Sequence, residues 1–156
     1  MKLSLIVPCY NEEGNVRAFF DAAANAFRDA PYALELVFVD DGSADGTLAA
    51  LKALCEQREF PVRVVSFSRN FGKESAIYAG LQAARGDYVC LIDADLQQRP
   101  EVARGMMDLL LSDPDCDGVV ACQTERHERG VLRASKRAFY RLIDRMADVR
   151  FHENAS

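Results

Sequence analysis

Along this chain, short, mainly apolar runs alternate with stretches in which apolar residues recur at helical spacing. The runs cover residues 3–7, 34–39, 62–67, 88–92 and 118–122. Each is bounded by polar or turn-forming residues and has the length of a buried strand rather than of a helix. Between the first two runs, Val16, Phe19, Phe20, Ala23 and Phe27 share one helical face and predict a helix ending near residue 28. Asn11 is expected to cap that helix, with Glu12 and Glu13 in the first turn, where the helix dipole favours acids. Asp45 is expected to cap a second helix over residues 47–57. A third follows Lys73 and runs to about residue 84. Pro100, suited to a first helical turn, opens a fourth that carries Val102, Met106, Leu109 and Leu110 and stops before Asp113-Pro114. A last helix is expected over residues 131–147. This alternation predicts an α/β fold, a mostly parallel, doubly wound sheet with helices on both faces and right-handed crossovers.

Composition narrows the class. A chain of 156 residues suits one domain with a real core. Its net charge of −5 offers no basic excess to neutralise nucleic-acid phosphates, so no nucleic-acid partner is expected. No stretch approaches the roughly 18–20 apolar residues of a membrane span, and Pro8 interrupts the N-terminal apolar run too early for a signal peptide. Five cysteines without C-x-x-C spacing indicate neither a disulfide framework nor a zinc site, and fit a reducing cytoplasm. Residues 151–156 neither finish a strand nor cap a helix, so the chain is expected to be the C-terminally truncated, N-terminal part of a longer one.

The candidate chemistry lies at the strand ends, where open α/β sheets bind ligands. The fourth run stops in Asp93-Ala94-Asp95, which in extended chain puts both carboxylates on one side. Two such groups repel unless a cation lies between them, and hard oxygen ligands suit Mg2+ or Mn2+ with room for phosphate oxygens. The alternative is an acidic solvated loop. The second run ends in Asp40-Asp41-Gly42-Ser43. Asp41 can accept hydrogen bonds from a nucleoside, or cap its own loop onto Gly42 and Ser43. Arg69 and Lys73 can offset diphosphate charge, or pair with Asp41 or Glu12. Neither G-x-G-x-x-G nor G-x-x-x-x-G-K-[ST] is present, which removes support for dinucleotide redox and P-loop chemistry.

Four stretches together carry a resemblance: residues 6–13 (IVPCYNEE), 39–47 (VDDGSADGT), 68–73 (SRNFGK) and 93–101 (DADLQQRPE). Their residues and order resemble family 2 glycosyltransferases of the GT-A fold. The last two stretches resemble one branch of that family in particular, the polyprenyl-phosphate sugar transferases. The resemblance implies an inverting transfer of a sugar from a UDP- or GDP-linked donor to a lipid phosphate. It implies that Pro8, Tyr10, Glu12 and Asp41 hold the nucleoside, and that Asp93, Asp95 and Gln97 hold the divalent metal and the donor diphosphate. Residues 1–100 would form the donor half and residues 123–156 part of an acceptor-side, membrane-proximal segment. In that segment the mixed stretch around Arg126 and Arg129 departs from the tighter basic cluster of the branch.

From residue 126 to 150 basic side chains outnumber acidic ones, and Arg137, Arg141 and Arg145 fall on one predicted helix. That face is expected either to remain in water or to meet anionic head groups at the cytoplasmic face of a membrane. Three rivals remain. One is a soluble family 2 transferase with a sugar hydroxyl acceptor, and one is a donor-binding domain without turnover. The third is a phosphorylation receiver, which should gather its acidic pair after the first strand, where this chain has Pro8-Cys9.

Overall fold

The structure is a computed structural model that describes residues 1–57 and 59–121. Four strands form one parallel sheet: β1 (Lys2–Cys9), β2 (Ala33–Asp40), β3 (Val62–Ser66) and β4 (Tyr88–Leu91). Helices α1 (Val16–Phe27), α2 (Thr47–Leu54), α3 (Lys73–Ala83) and α4 (Pro100–Ser112) alternate with them. The spatial order is β3-β2-β1-β4, so β1 and β2 are central. Apart from Ser4 and Glu35 their runs are apolar on both faces because both are covered: Leu3, Leu5, Ile6, Val7, Leu36, Val37, Phe38 and Val39 are all buried.

Consecutive residues of β2 show the two layers. Phe38 meets Phe19 of α1 edge-on, with ring centroids 6.0 Å apart. Val39 points the other way, toward Gly80 of α3, where a Cβ would come within 3.4 Å of its side chain and 2.3 Å of that of Ile6. Because successive strand residues face opposite sides, α1 and α3 flank the sheet on opposite faces. The stripe expected on α1 is the one buried, namely Val16, Phe19, Phe20, Ala23 and Phe27.

Several expectations are corrected. Asn11 does not cap α1. It takes a left-handed conformation (φ 57°), and its side-chain oxygen accepts the N–H of Ala44, while Asn15 occupies the cap position. Gly46, not Asp45, is at the cap position of α2, although the Asp45 carboxylate still accepts the Thr47 N–H at 3.0 Å. Helix α4 buries Pro100, Ala103 and Met107, while Val102 and Leu109 are exposed. Strand β4 is not buried on both faces: it is the outer strand of the described sheet, and Val89 and Leu91 are exposed. Residues 118–121 form no strand among the described residues. Cys122 and the helix expected over 131–147 lie outside them. No described helix is long and apolar enough to cross a membrane.

Contacts group Met1–Met107, with the whole sheet, as one compact unit, and Asp108–Ser156 as another. The described part of the second contains the end of α4 and a turn in which Cys116 N–H donates to the Asp113 carbonyl.

A buried polar cluster ties the opening of the sheet together. Glu35, 1% exposed, pairs in register with Ser4. Its carboxylate accepts the Ser4 hydroxyl and the Arg85 N–H, each at 2.6 Å, and the Lys2 ammonium. The Ser4 oxygen in turn accepts the Gly86 N–H at 2.8 Å. The chain passes so close there that a Cβ on Gly86 would meet Ser4 at 2.6 Å. Burial by itself raises the Glu35 pKa, but the hydrogen bonds from Lys2, Ser4 and Arg85 together outweigh it, and the net shift is downward. Glu35→Ala is expected to destabilise the chain by about 3 kcal/mol or more in urea unfolding, because each buried donor left unpaired costs roughly 1–3 kcal/mol. A carboxyl with a lowered folded pKa contributes stability above its unfolded value of about 4.3, lost as pH falls through the folded value. The stability gap between the wild-type chain and Glu35→Gln should therefore narrow below about pH 4.

Candidate functional site

Parallel strands deliver their carboxyl ends to one edge of the sheet, and the loops there enclose a cleft of about 360 Å3. It is lined by Pro8, Cys9, Tyr10 and Glu12 after β1, by Asp41 after β2, by Asn70, Gly72, Lys73 and Ala76 at the start of α3, and by Asp93, Ala94 and Asp95 after β4. Seven of the expected positions thus share one cleft: Pro8, Tyr10, Glu12, Asp41, Lys73, Asp93 and Asp95. Arg69 and Gln97 are not among its lining residues. Arg126 and Arg129 lie outside the described residues.

The first two loops are laced together. Asn11 N–H donates to the Ser43 hydroxyl (3.0 Å), Glu12 N–H to the Thr47 hydroxyl (2.8 Å) and Gly46 N–H to the Glu13 carboxylate (3.1 Å). A side chain at Gly46 would collide with that carboxylate, with its Cβ 2.3 Å from Glu13 Oε1. The Glu12 carboxylate accepts the side-chain amide of Asn15 at 2.6 Å, which orients it at the cleft wall. Tyr10 is about half exposed at the rim.

The paired acids after β2 divide their work. Asp40, and not Asp41, caps the loop: its Oδ1 accepts the Ser43 N–H at 3.2 Å and its Oδ2 the Ser66 hydroxyl at 3.1 Å. Asp41, only 4% exposed, reaches across to the third loop, where its two oxygens accept the N–H groups of Phe71 (2.7 Å) and Gly72 (2.9 Å). The same loop approaches Gly42, where a Cβ would lie 2.2 Å from the Arg69 backbone carbon and φ is +67°. Glycine is therefore required there on two counts. The Arg69 guanidinium does not pair with an acid of the cleft. It stacks over the Phe71 ring, 4.4 Å from the centroid.

The Asp-x-Asp segment is not extended. Strand β4 ends at Leu91, and the chain turns at Ala94 and Asp95. Asp95 Oδ1 accepts the Gln97 N–H at 3.0 Å across Leu96, which is left-handed (φ 60°). A bulky residue held there costs about 1–3 kcal/mol, the kind of strain that functional loops store. Asp93 is clasped by Lys73, whose ammonium lies 2.7 Å from one carboxylate oxygen and 2.9 Å from the other. Lys73 therefore pairs with Asp93 rather than with Asp41 or Glu12.

Cys9 lines the cleft floor. Burial first, then the charges of Glu12, Asp40 and Asp93, push its thiol well above the ordinary range. It remains a protonated thiol and does not suit a nucleophile. Cys9, Asn70 and Gly72 are cleft residues beyond the expected set. The signal for Asn70 and Gly72 was their place in the 68–73 stretch, and for Cys9 its position directly after Pro8.

Asp93 and Asp95 bring two hard oxygen donors to this cleft, the ligand type that Mg2+ and Mn2+ take. Asp93 already holds a cation, the Lys73 ammonium, and Asp95 shares its cleft. Among the described residues no three His, Cys, Asp or Glu side chains converge as a closed cage. A hard ion held by one or two carboxylates typically completes its shell with water and phosphate oxygens.

The sequence profile of the family described as glycosyl transferase family 2 matches residues 4–154. The chain is 37% identical over 155 residues to the bactoprenol glucosyl transferase of Shigella phage SfV, covering 99% of this chain and 50% of that protein. It is 35% identical to the dodecaprenyl-phosphate galacturonate synthase of Rhizobium johnstonii, covering 98% and 45%. The chain spans about half the length of the curated relatives it matches. Among solved structures it is similar to a mannosyltransferase from Pyrobaculum calidifontis in complex with GDP-Man and Mn2+. That match has 29% identity and a TM-score of 0.64, over 79% of this chain and 35% of the other.

Proposed function

The chain belongs to glycosyl transferase family 2, and from that premise we propose that its cleft binds a nucleoside-diphosphate sugar for transfer to a polyprenyl phosphate. The observation that carries the donor half of this reading is the convergence of Asp41, Lys73, Asp93 and Asp95 on one cleft at the strand ends. The relatives named for bactoprenol and dodecaprenyl phosphate support the acceptor half.

In this reading Pro8, Tyr10 and Glu12 flank the nucleoside, and Asp41 contacts it while holding the 69–72 loop. Asp95 and Asp93 hold a divalent ion, which when bound supplies charge neutralisation to the leaving diphosphate. Lys73 adds a point charge for the same oxygens. An oxygen of the acceptor phosphate forms the new bond to the anomeric carbon from the side opposite the leaving group. The bond to the diphosphate breaks, and configuration inverts. A phosphate acceptor is already ionised at neutral pH, its second pKa being about 6, so no side chain must remove a proton. A sugar hydroxyl would need a general base. The lipid acceptor sets the reaction at a membrane surface, on its cytoplasmic side in this reading. The basic stretch of residues 126–150 is the part suited to anionic head groups.

The test is transfer of labelled sugar. Label should move from a UDP- or GDP-linked sugar into polyprenyl phosphate and not into an oligosaccharide. Transfer only to the oligosaccharide would favour the hydroxyl-acceptor transferase instead.

A further inference from the structure

We propose that Lys73 is a positioning residue that serves as the resident counter-ion of Asp93 and makes metal capture depend on the donor. The inference rests on the donor-and-metal reading above. The Lys73 ammonium bridges both oxygens of Asp93, at 2.7 and 2.9 Å. A dication on the same oxygens would compete with the ammonium and would face a neighbouring positive charge. Both side chains are partly exposed, 56% for Lys73 and 38% for Asp93. Such a pair is screened and weak, so it can open.

The geometry gives the released ammonium a new role. Lys73 is the first residue of α3 and follows Gly72, whose N–H is held by buried Asp41. The backbone at its base is therefore fixed while its long side chain is free to re-aim. Donor diphosphate offers the ammonium a replacement anion and leaves Asp93 to the metal. Each ligand then favours the other, and by linkage the factor is the same in both directions. Arg69 cannot substitute, since it stacks on Phe71 outside the cleft lining.

The test measures Mn2+ affinity from the free-ion signal in electron paramagnetic resonance. It compares the wild-type chain, Lys73→Met, Lys73→Arg and Arg69→Met, each without nucleotide and then with UDP or GDP. Without nucleotide, Lys73→Met should bind Mn2+ roughly two- to fivefold more tightly, the range an exposed ion pair supports. The factor by which nucleotide improves Mn2+ binding should shrink in the same variant. Lys73→Arg, which keeps the charge and can pair with Asp93, should behave as the wild type. Arg69→Met should leave Mn2+ affinity unchanged. An equal gain in Arg69→Met would reduce the effect to net charge and overturn the proposal. So would unchanged Mn2+ affinity in Lys73→Met, or no Mn2+ binding by either chain. If neither UDP nor GDP alters Mn2+ affinity in any chain, the donor reading fails. A nucleotide-free shift in Lys73→Met alone would then still show the Lys73–Asp93 competition.

Discussion

Asp95→Asn is expected to lower donor affinity in manganese by about 10- to 100-fold, the loss that removing even an outer partner of a metal typically brings. The same variant should bind the donor almost as the wild type does in EDTA. Asparagine is the informative replacement. Its amide oxygen can still accept the Gln97 N–H that Asp95 Oδ1 now accepts. The turn through left-handed Leu96 is thereby kept, while the charge that would hold the cation is lost. Urea unfolding should move by less than about 1 kcal/mol, as for a surface position whose fold-defining bond survives. A large stability loss together with a metal-independent affinity loss would identify Asp95 as a structural residue of the loop.

Asp41→Ala is expected to have the second large effect, on both stability and binding. The carboxylate is buried, and its two oxygens accept the N–H groups of Phe71 and Gly72. Hydrogen bonds to a charged group contribute about 1.5–3 kcal/mol each, so unfolding should shift by roughly 3 kcal/mol or more. The released 69–72 loop carries Asn70, Gly72 and the base of Lys73 into the cleft, so nucleotide affinity should fall with it. Asp41→Asn separates the two roles. It retains one acceptor oxygen and hence part of the loop anchor, but presents a changed hydrogen-bonding face to a nucleoside. Under the proposed role, Asp41→Asn loses one of the two loop bonds, and so less stability than Asp41→Ala, yet weakens binding of free UDP or GDP by at least about tenfold, a loss of about 1.4 kcal/mol. Nucleotide affinity that simply tracks stability across both variants would assign Asp41 to the loop alone.

Much of the architecture was legible because it depends on local pattern. The α1 stripe, the two central strands and the alternation of elements are set by periodicity and run length, and all appear in the structure. The departures come from contacts distant in sequence. Asn11 has the composition of a helix cap, yet its partner is Ala44, a residue 33 positions away. Which of Asp40 and Asp41 caps the loop is decided by the approach of Phe71 and Gly72, and no spacing rule contains that. The pairing of Lys73 with Asp93 rather than Asp41 or Glu12 likewise follows from the side-by-side arrangement of the strand ends. Glu35 lies inside an apolar run and carried no signal of its own. Its burial is compensated by donors from two separate segments, Lys2 and Ser4 of β1 and Arg85 ahead of β4. Helix α4 departs from its expected stripe, for its inward positions include Pro100 and Ala103 rather than Val102 and Leu109.

The central claim is that this cleft holds a nucleoside-diphosphate sugar together with a divalent cation. Calorimetric titration of the chain with a panel of UDP- and GDP-linked sugars, in manganese and again in EDTA, tests it most directly. The account predicts saturable, one-to-one binding of at least one donor in manganese and a loss of about tenfold or more in EDTA, equivalent to at least about 1.4 kcal/mol. Equal affinity in manganese and EDTA, or no binding of any donor by the folded chain, would contradict it.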